Sequence, residues 1–266
     1  MTPADGLPGR LAERIAAAAG GARPLIVGVT GGQGSGKSTL AAQMPDALAA
    51  RGLRAAVLSL DDLYLTKAER RRLAREVHPL FATRGVPGTH DVALGVEVLS
   101  SLGRPGGTLV PSFDKAADDR RPEDQWTRFA GPADVIVFEG WCVGARPQPP
   151  EALAEPVNDL ERERDADGAW RRYANAALAG PYRALFDPIG FQALLLAPGF
   201  DVILGWRRQQ EHALIARGGK GQSDAELAVF IQYYERLTRW MAAEMPARAD
   251  LVARLDEDRK VVELTP

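Results

Sequence analysis

A short β-branched apolar run, PLIVGVT at residues 24–30, leads straight into Gly31, Gly32, Gln33, Gly34, Ser35, Gly36, Lys37 and Ser38, then Thr39 and an Ala-rich stretch. The octet matches G-x-x-x-x-G-K-[ST] in the strand–loop–helix setting that gives the pattern its meaning. Glycines let the backbone curl so that successive N–H groups point at one anion. The helix opening at Lys37 adds the positive end of its dipole. Lys37 is then placed for the β- and γ-phosphates of a nucleotide, and the Ser38 hydroxyl for Mg²⁺.

The pattern around this loop predicts an α/β fold. Residues 39–52 read as a helix ended near Gly52, and AAVLSL at 55–60 as a second buried strand. Residues 67–81 are charged and helical, and 91–103 are helical in period; RGVPGTHD before the second of these reads as a loop. GGTLVPSFD reads as a strand or extended arm, and DVIVF at 134–138 as a third buried strand ending at Glu139. FDVILGW at 200–206 is expected as a fourth strand, followed by a long helix that GGKGQSD breaks. A long amphipathic helix follows, with Ser223 or Asp224 as its cap, and KVVEL closes the chain as a last strand. Apolar strands alternating with helices imply a mostly parallel sheet covered on both faces. We expect one domain over residues 1–266, with the polar stretch at about 145–190 as an insertion.

Composition removes several function classes. Net charge is -2 with a pI of about 6.0, so no basic excess favours nucleic acid. The single cysteine, Cys142, makes neither an internal disulfide nor a zinc cluster and points to a reducing compartment. The N-terminal 24 residues read as an amphipathic helix rather than a signal peptide, and no run reaches the roughly 20 apolar residues of a membrane span. The expected location is the cytoplasm, with a small molecule as partner. A phosphate loop alone leaves kinase, GTPase switch, motor and transporter open. The guanine-selecting Asn-Lys-x-Asp is absent; the only asparagines are Asn158 and Asn175.

Polar residues at strand ends supply the acceptor side. Asp61 and Asp62 follow the second strand, where open parallel sheets gather ligands. A carboxylate there takes the proton of an attacking hydroxyl, although an Asp pair equally well caps a helix. Glu139, directly after VIVF, suits the metal shell. Arg84, His90 and Asp91 share one Gly/Pro loop that can grip a small anionic or polyhydroxyl substrate, with Asp91 alternatively a plain cap. Asp114 and Lys115 form a second polar pair, whose bland reading is a surface ion pair. Of Arg207, Arg208 and Arg217, Arg207 lies nearest the expected fourth strand and is favoured for the transferring phosphoryl group. Cys142 and the tryptophans read as packing.

The ordered set GGQGSGKST, SLDDLYL, RGVPGTHD, PSFDKAADDR, VFEGWCVG, VNDLE and WRRQQE resembles the D-glycerate 3-kinase family, in the phosphoribulokinase and uridine kinase branch of P-loop kinases. The resemblance runs from about residue 24 to the end. It implies a P-loop NTPase fold with a lid after Trp206, MgATP as cofactor, and transfer of the γ-phosphoryl group to a hydroxyl of a small molecule, D-glycerate first. Asp61 then matches the base of a D-x-[FL]-Y motif, Tyr64 lines the acceptor pocket, and Asp62 stands where nucleoside kinases often carry Ser. Arg84, His90 and Asp91 match the substrate loop, Glu139 the Walker-B-like acid, and Arg207 the lid arginine. Phe113 departs from the tyrosine expected before Asp114. A nucleoside or pantothenate kinase and a slow ATP-hydrolysing switch remain as alternatives.

Overall fold

The computed structural model describes residues 6–21, 24–216, 218 and 221–265. Helix α1 (Leu7–Ala18) buries Leu11, Ala12 and Ile15, which fall on one helical face, so the amphipathic expectation for this segment holds. Strand β1 (Leu25–Gly31) feeds the phosphate loop and helix α2 (Lys37–Ala49), and β2 (Ala55–Ser59) follows. A 3-10 turn at Leu60–Leu63 carries the two aspartates. Helix α3 (Lys67–Glu76) starts on a Thr66–Glu69 capping box and ends before the predicted limit, because Pro79 opens a separate 3-10 turn.

Helix α4 (Val92–Leu102) leads into two short hairpin sheets. The first pairs β3 (Gly106–Val110) with β6 (Thr127–Gly131). Within the connection, β4 (Phe113–Asp114) pairs with β5 (Asp119–Arg120), so the predicted arm is a real excursion from the main sheet. Strand β7 (Val135–Gly140) is buried along its whole length. Helices α5 (Asp159–Arg164), α6 (Ala169–Ala179) and α7 (Arg183–Phe186) come next, then β8 (Phe191–Leu196). Helices α8 (Phe200–Ala216) and α9 (Asp224–Glu244) precede β9 (Leu251–Leu255) and β10 (Val261–Thr265).

The main sheet has the order β10-β9-β8-β1-β7-β2, parallel except for the edge strand β10. Alternation along β7 splits the core: Val135 and Val137 face the cluster with α1 and α2, while Ile136 and Phe138 face the cluster with α4, α7 and α9. The loop therefore opens at the centre of the sheet's C-terminal edge, between β1 and its neighbours.

One prediction fails. Residues 200–206 are not the fourth strand but the start of α8, and the strand is Phe191–Leu196. Both runs are apolar and too short for periodicity to separate them. Buried Gln192 interrupts the true strand, where its amide donates to Thr30 Oγ1 at 2.9 Å. Ile203 and Trp206 form an i, i+3 pair that lies on the glycines of the phosphate loop, which is why this helical turn is so apolar. Strand β9 was missed outright.

The segment at 145–190 is polar in sequence, yet three of its charged residues, Glu161, Asp165 and Arg171, are buried and paired. Arg236 of α9 holds Glu161 at 2.6 and 2.7 Å, and Arg171 holds Asp165 at 2.9 Å while its Nε donates to Leu153 O. Leu160, Trp170 and Leu178 join the same core as β7. Among the described residues, no helix is long and apolar enough to cross a membrane.

Candidate active site

Close packing shapes the phosphate loop. Gly34 and Gly36 have φ of 80° and 90°, a region closed to most side chains. A Cβ on Gly32 would sit 2.5 Å from Ile203 Cδ1, and one on Gly34 2.7 Å from Trp206 Cβ. Helix α8 thus roofs the loop. From the other side, Arg259 Nε donates to Gly34 O at 2.7 Å while its guanidinium stacks 5.3 Å from the Trp206 ring, and Trp206 Nε1 donates to Glu257 O.

Glu139, the last but one residue of β7, lies beside this loop. Its Oε1 accepts from Ser38 Oγ at 3.1 Å and from Ser59 Oγ at 2.8 Å. Its Oε2 is buried without a partner, as are Ser35 Oγ and both polar atoms of the Gln33 side chain. Buried polar groups are normally satisfied, so a cluster of orphans around a phosphate loop fits a polar ligand and its cation. The hydroxyl of Ser38 and the carboxylate of Glu139 are hard oxygen donors of the kind Mg²⁺ takes. Ser59 was not singled out in the sequence, since a serine ending a strand carries no signal until the neighbouring acid is known.

A cavity of about 200 Å³ joins this centre to the acceptor candidates. Lys37, Ser38, Asp61, Tyr64, Arg84, Lys115 and Arg207 all face it. Asp61 Oδ1 accepts from the Tyr64 hydroxyl at 3.0 Å, and Oδ2 from Lys115 Nζ at 2.6 Å. Burial raises the Asp61 pKa, but Lys115 and then Lys37 outweigh it and hold the carboxyl well below its usual range. Arg84 is stacked 5.5 Å over the Phe113 ring and paired with Asp118, while Arg207 is paired with Glu211. Arg207 reaches the cavity although the strand it was expected to follow is absent; α8 delivers it. Arg208 lies 3.8 Å from Asp224, and Arg217 falls outside the described residues.

Other predicted residues support the cavity without lining it. Asp91 caps α4 through Leu94 N and pairs with Arg120 at 3.1 Å. Asp114 accepts from Ala116 N and Ala117 N and pairs with Arg121, so it shapes the turn that carries Lys115 rather than pairing with that lysine. His90 stacks behind Tyr64, ring centroids 4.5 Å apart. Gly88 N donates to the Tyr182 oxygen, and the Tyr182 hydroxyl and His90 Nδ1 share a hydrogen bond of 2.5 Å. His90 Nε2 is buried without a partner. Burial pushes the His90 pKa down to about 3, so the ring stays neutral.

Asp62 accepts from Phe113 N at 2.9 Å and ties the 3-10 turn to the hairpin. Burial pushes its pKa up to about 6 from 3.8, with neighbouring Asp61 adding to the rise and the Phe113 bond opposing it. The folded value exceeds the unfolded one, so protonated Asp62 favours the fold. That contribution is whole below pH 3.8 and is lost as pH rises through about 6. Asp62→Asn, which keeps an acceptor for Phe113, is expected to flatten the fall in Tm between about pH 4 and about pH 6. Equal slopes for variant and parent would show that Asp62 titrates normally.

Sequence reasoning missed Gln210, Phe230 and Tyr234, which complete the cavity wall together with Trp141, read from the sequence as packing or, for a nucleoside acceptor, as a stacking ring. Phe230 and Tyr234 stand four residues apart on α9 and belong to its apolar face, which reads as core until the cavity is seen. Trp141 Nε1 donates to Gly85 O at 3.0 Å and so holds the substrate-side loop against β7.

Comparison with known proteins bears on this arrangement. The family model for the methylmalonyl Co-A mutase-associated GTPase MeaB matches residues 7–64, from α1 through Tyr64. That span leaves out Arg84, Lys115, Glu139 and Arg207. The uncharacterized kinase mug58 of Schizosaccharomyces pombe is 37% identical over 222 residues, 80% of this chain and 79% of its own. The chloroplastic D-glycerate 3-kinase of Arabidopsis thaliana is 31% identical over 90% of this chain, which spans only 54% of that longer protein. The solved D-glycerate 3-kinase of Cryptococcus neoformans superposes with a TM-score of 0.78 at 27% identity, over 96% of this chain and 98% of its own. With Lys37, Asp61 and Glu139 gathered on one parallel sheet and likeness running over nearly the whole chain, this protein belongs to the D-glycerate 3-kinase family of P-loop kinases.

Proposed function

We propose that the protein transfers the γ-phosphoryl group of MgATP to a hydroxyl of D-glycerate, giving a phosphoglycerate. The observation that carries this is the single cavity shared by Lys37 and Ser38 on one side and Asp61, Arg84 and Lys115 on the other. The first pair belongs to the phosphate loop. The second set combines a carboxylate with two cations, which suits an acceptor that carries both a hydroxyl and a carboxylate. The names of the plant and fungal relatives support the same substrate.

In this mechanism the loop amides and Lys37 hold the phosphates, and Ser38 and Glu139 hold the cation's shell. Bound Mg²⁺ would neutralise charge on the β- and γ-phosphates. Asp61, oriented by the Tyr64 hydroxyl, takes the proton of the acceptor hydroxyl. Arg207 and Lys37 offset the charge spread over the phosphoryl oxygens. The part of α8 beyond Trp206 closes as a lid and keeps water from the γ-phosphate. The chain acts as one domain, with residues 145–190 an insertion that braces α9. The buried free thiol of Cys142 is consistent with a reducing compartment, and we place the protein in the cytoplasm.

The test is ADP release from MgATP by the purified protein, alone and with D-glycerate, other small hydroxy acids, nucleosides and pantothenate. D-glycerate is expected to stimulate release most strongly and to yield a phosphoglycerate. Stimulation by a nucleoside or pantothenate instead would replace the acceptor. Tight ATP binding with slow hydrolysis and no acceptor would replace the kinase by a nucleotide switch.

A further inference from the structure

Lys115 is the cation of the cavity whose only carboxylate partner, among the described residues, is the candidate base itself. Arg84 is held by Asp118 and by the Phe113 ring, and Arg207 by Glu211. Lys115 reaches Asp61 Oδ2 from the hairpin arm, and the Tyr64 hydroxyl occupies Oδ1, so both carboxylate oxygens are engaged. The lysine's backbone is fixed, because Asp114 accepts from the two following amides and pairs with Arg121 at 2.8 Å. Its side chain is not fixed: it is 62% exposed, on a flexible four-carbon stem. With its ammonium this open to solvent, the lysine can exchange Asp61 for another carboxylate.

We propose that Lys115 is an acceptor-sensing latch, which occupies Asp61 until the carboxylate of a small hydroxy acid draws the ammonium away and frees the base. The proposal rests on the kinase reading above and adds the means by which the site selects an anionic acceptor over water. A hydroxyl compound without an acid group cannot compete for the ammonium, so it leaves the base engaged. With the acid bound, its hydroxyl gives a proton to Asp61 as its oxygen bonds the γ-phosphorus and the bond to the bridging oxygen of ADP breaks. Without it, water in the same place meets a carboxylate already paired with a cation. Lys115 therefore acts as a positioning residue for Asp61 and as a contact for the acceptor's acid group. The Gly/Pro loop with Arg84 supplies the second cation to the same acid, on a fixed guanidinium.

The experiment measures ADP release from MgATP in the absence of any acceptor, for the parent, Lys115→Met and Lys115→Arg. Lys115→Met is expected to raise acceptor-free hydrolysis about tenfold, a part of the ~10²–10⁴ that a positioned base supplies. In that reaction water's oxygen bonds the γ-phosphorus, its proton passes to Asp61 and then to solvent, and ADP and phosphate leave. Lys115→Arg keeps a cation that can pair with Asp61 and is expected to raise hydrolysis less than Lys115→Met does. Adding Asp61→Asn to Lys115→Met is expected to remove the gain. Hydrolysis by Lys115→Met no faster than the parent's would overturn the latch, and a raised KM for the acceptor beside it would leave Lys115 a substrate contact only. A gain that survives Asp61→Asn would overturn it too. This readout needs no acceptor, so it stands apart from the acceptor panel: if D-glycerate proves not to be the substrate, the latch is still decided.

Discussion

Asp61→Asn is expected to lower kcat by about 10²–10⁴-fold while the Kd for MgATP stays nearly unchanged. The substitution keeps the shape of the side chain and an oxygen for the Tyr64 hydroxyl, which now lies 3.0 Å from Oδ1. What it removes is the site for the proton leaving the acceptor hydroxyl. The ATP side keeps its hydrogen bonds, because those of Ser38 and Glu139 do not involve Asp61, and the charge lost opposite Lys37 does not oppose the binding of an anionic phosphate. The loss therefore falls on turnover and not on nucleotide affinity. A variant that turns over within about threefold of the parent would reject Asp61 as the base. Steady-state kinetics with the best acceptor, and nucleotide titration by calorimetry, separate the two quantities.

Lys37→Ala is expected to cost about 10²–10³-fold in kcat, the scale for removing one preorganised charge-stabilising donor. Lys37 opens α2 behind Gly36 and faces the same cavity as Asp61 and Arg207. It is the cation placed by the backbone itself, at the positive end of a helix, so no neighbour can take its place. Unlike Asp61→Asn, this change removes an interaction with ground-state phosphate as well, so nucleotide affinity falls together with turnover. Retained turnover would mean that the phosphoryl group is not transferred over this loop. The two variants thus divide the cavity by their signatures: one loses rate alone, the other rate and affinity.

How much of this was legible in the sequence depends on the length scale of each signal. The loop at residues 31–38 was readable because every element of it is local: strand, glycines, lysine and helix lie in one contiguous stretch. Glu139 was readable for the same reason, as the acid directly after the apolar run of β7. The start of α9 at Ser223 or Asp224 was readable because a cap is local, and the structure takes Ser223, with Glu226 closing a capping box over four residues. The choice between residues 191–196 and 200–206 as the strand was not readable. Both are apolar, and only the close approach of Ile203 and Trp206 to Gly32 and Gly34 explains why the second run is helical. Asp91 and Asp114 had the right residue type in the right loops, yet both serve turns and caps. Their neighbours Arg120 and Arg121, which pair with them, decide that, and such pairings across a hairpin leave no trace in spacing. Lys115 was paired in sequence with the adjacent Asp114 but reaches across to Asp61, a contact that only the folded hairpin creates.

The contact between α8 and the loop has a mechanical consequence. Ile203 presses on Gly32, Trp206 presses on Gly34, and the Trp206 indole is tethered to Glu257 O. The first turns of α8 are therefore built into the floor that holds the nucleotide and move with it as one piece. A cover over the cavity cannot swing from the base of this helix. It has to flex beyond Trp206, so that Arg207, Gln210 and the length of helix toward residue 216 form the travelling arm while its root stays in place. In the mechanism proposed above, Arg207, next to the anchored Trp206, stands at the root of that arm rather than at its tip, on the wall of the cavity.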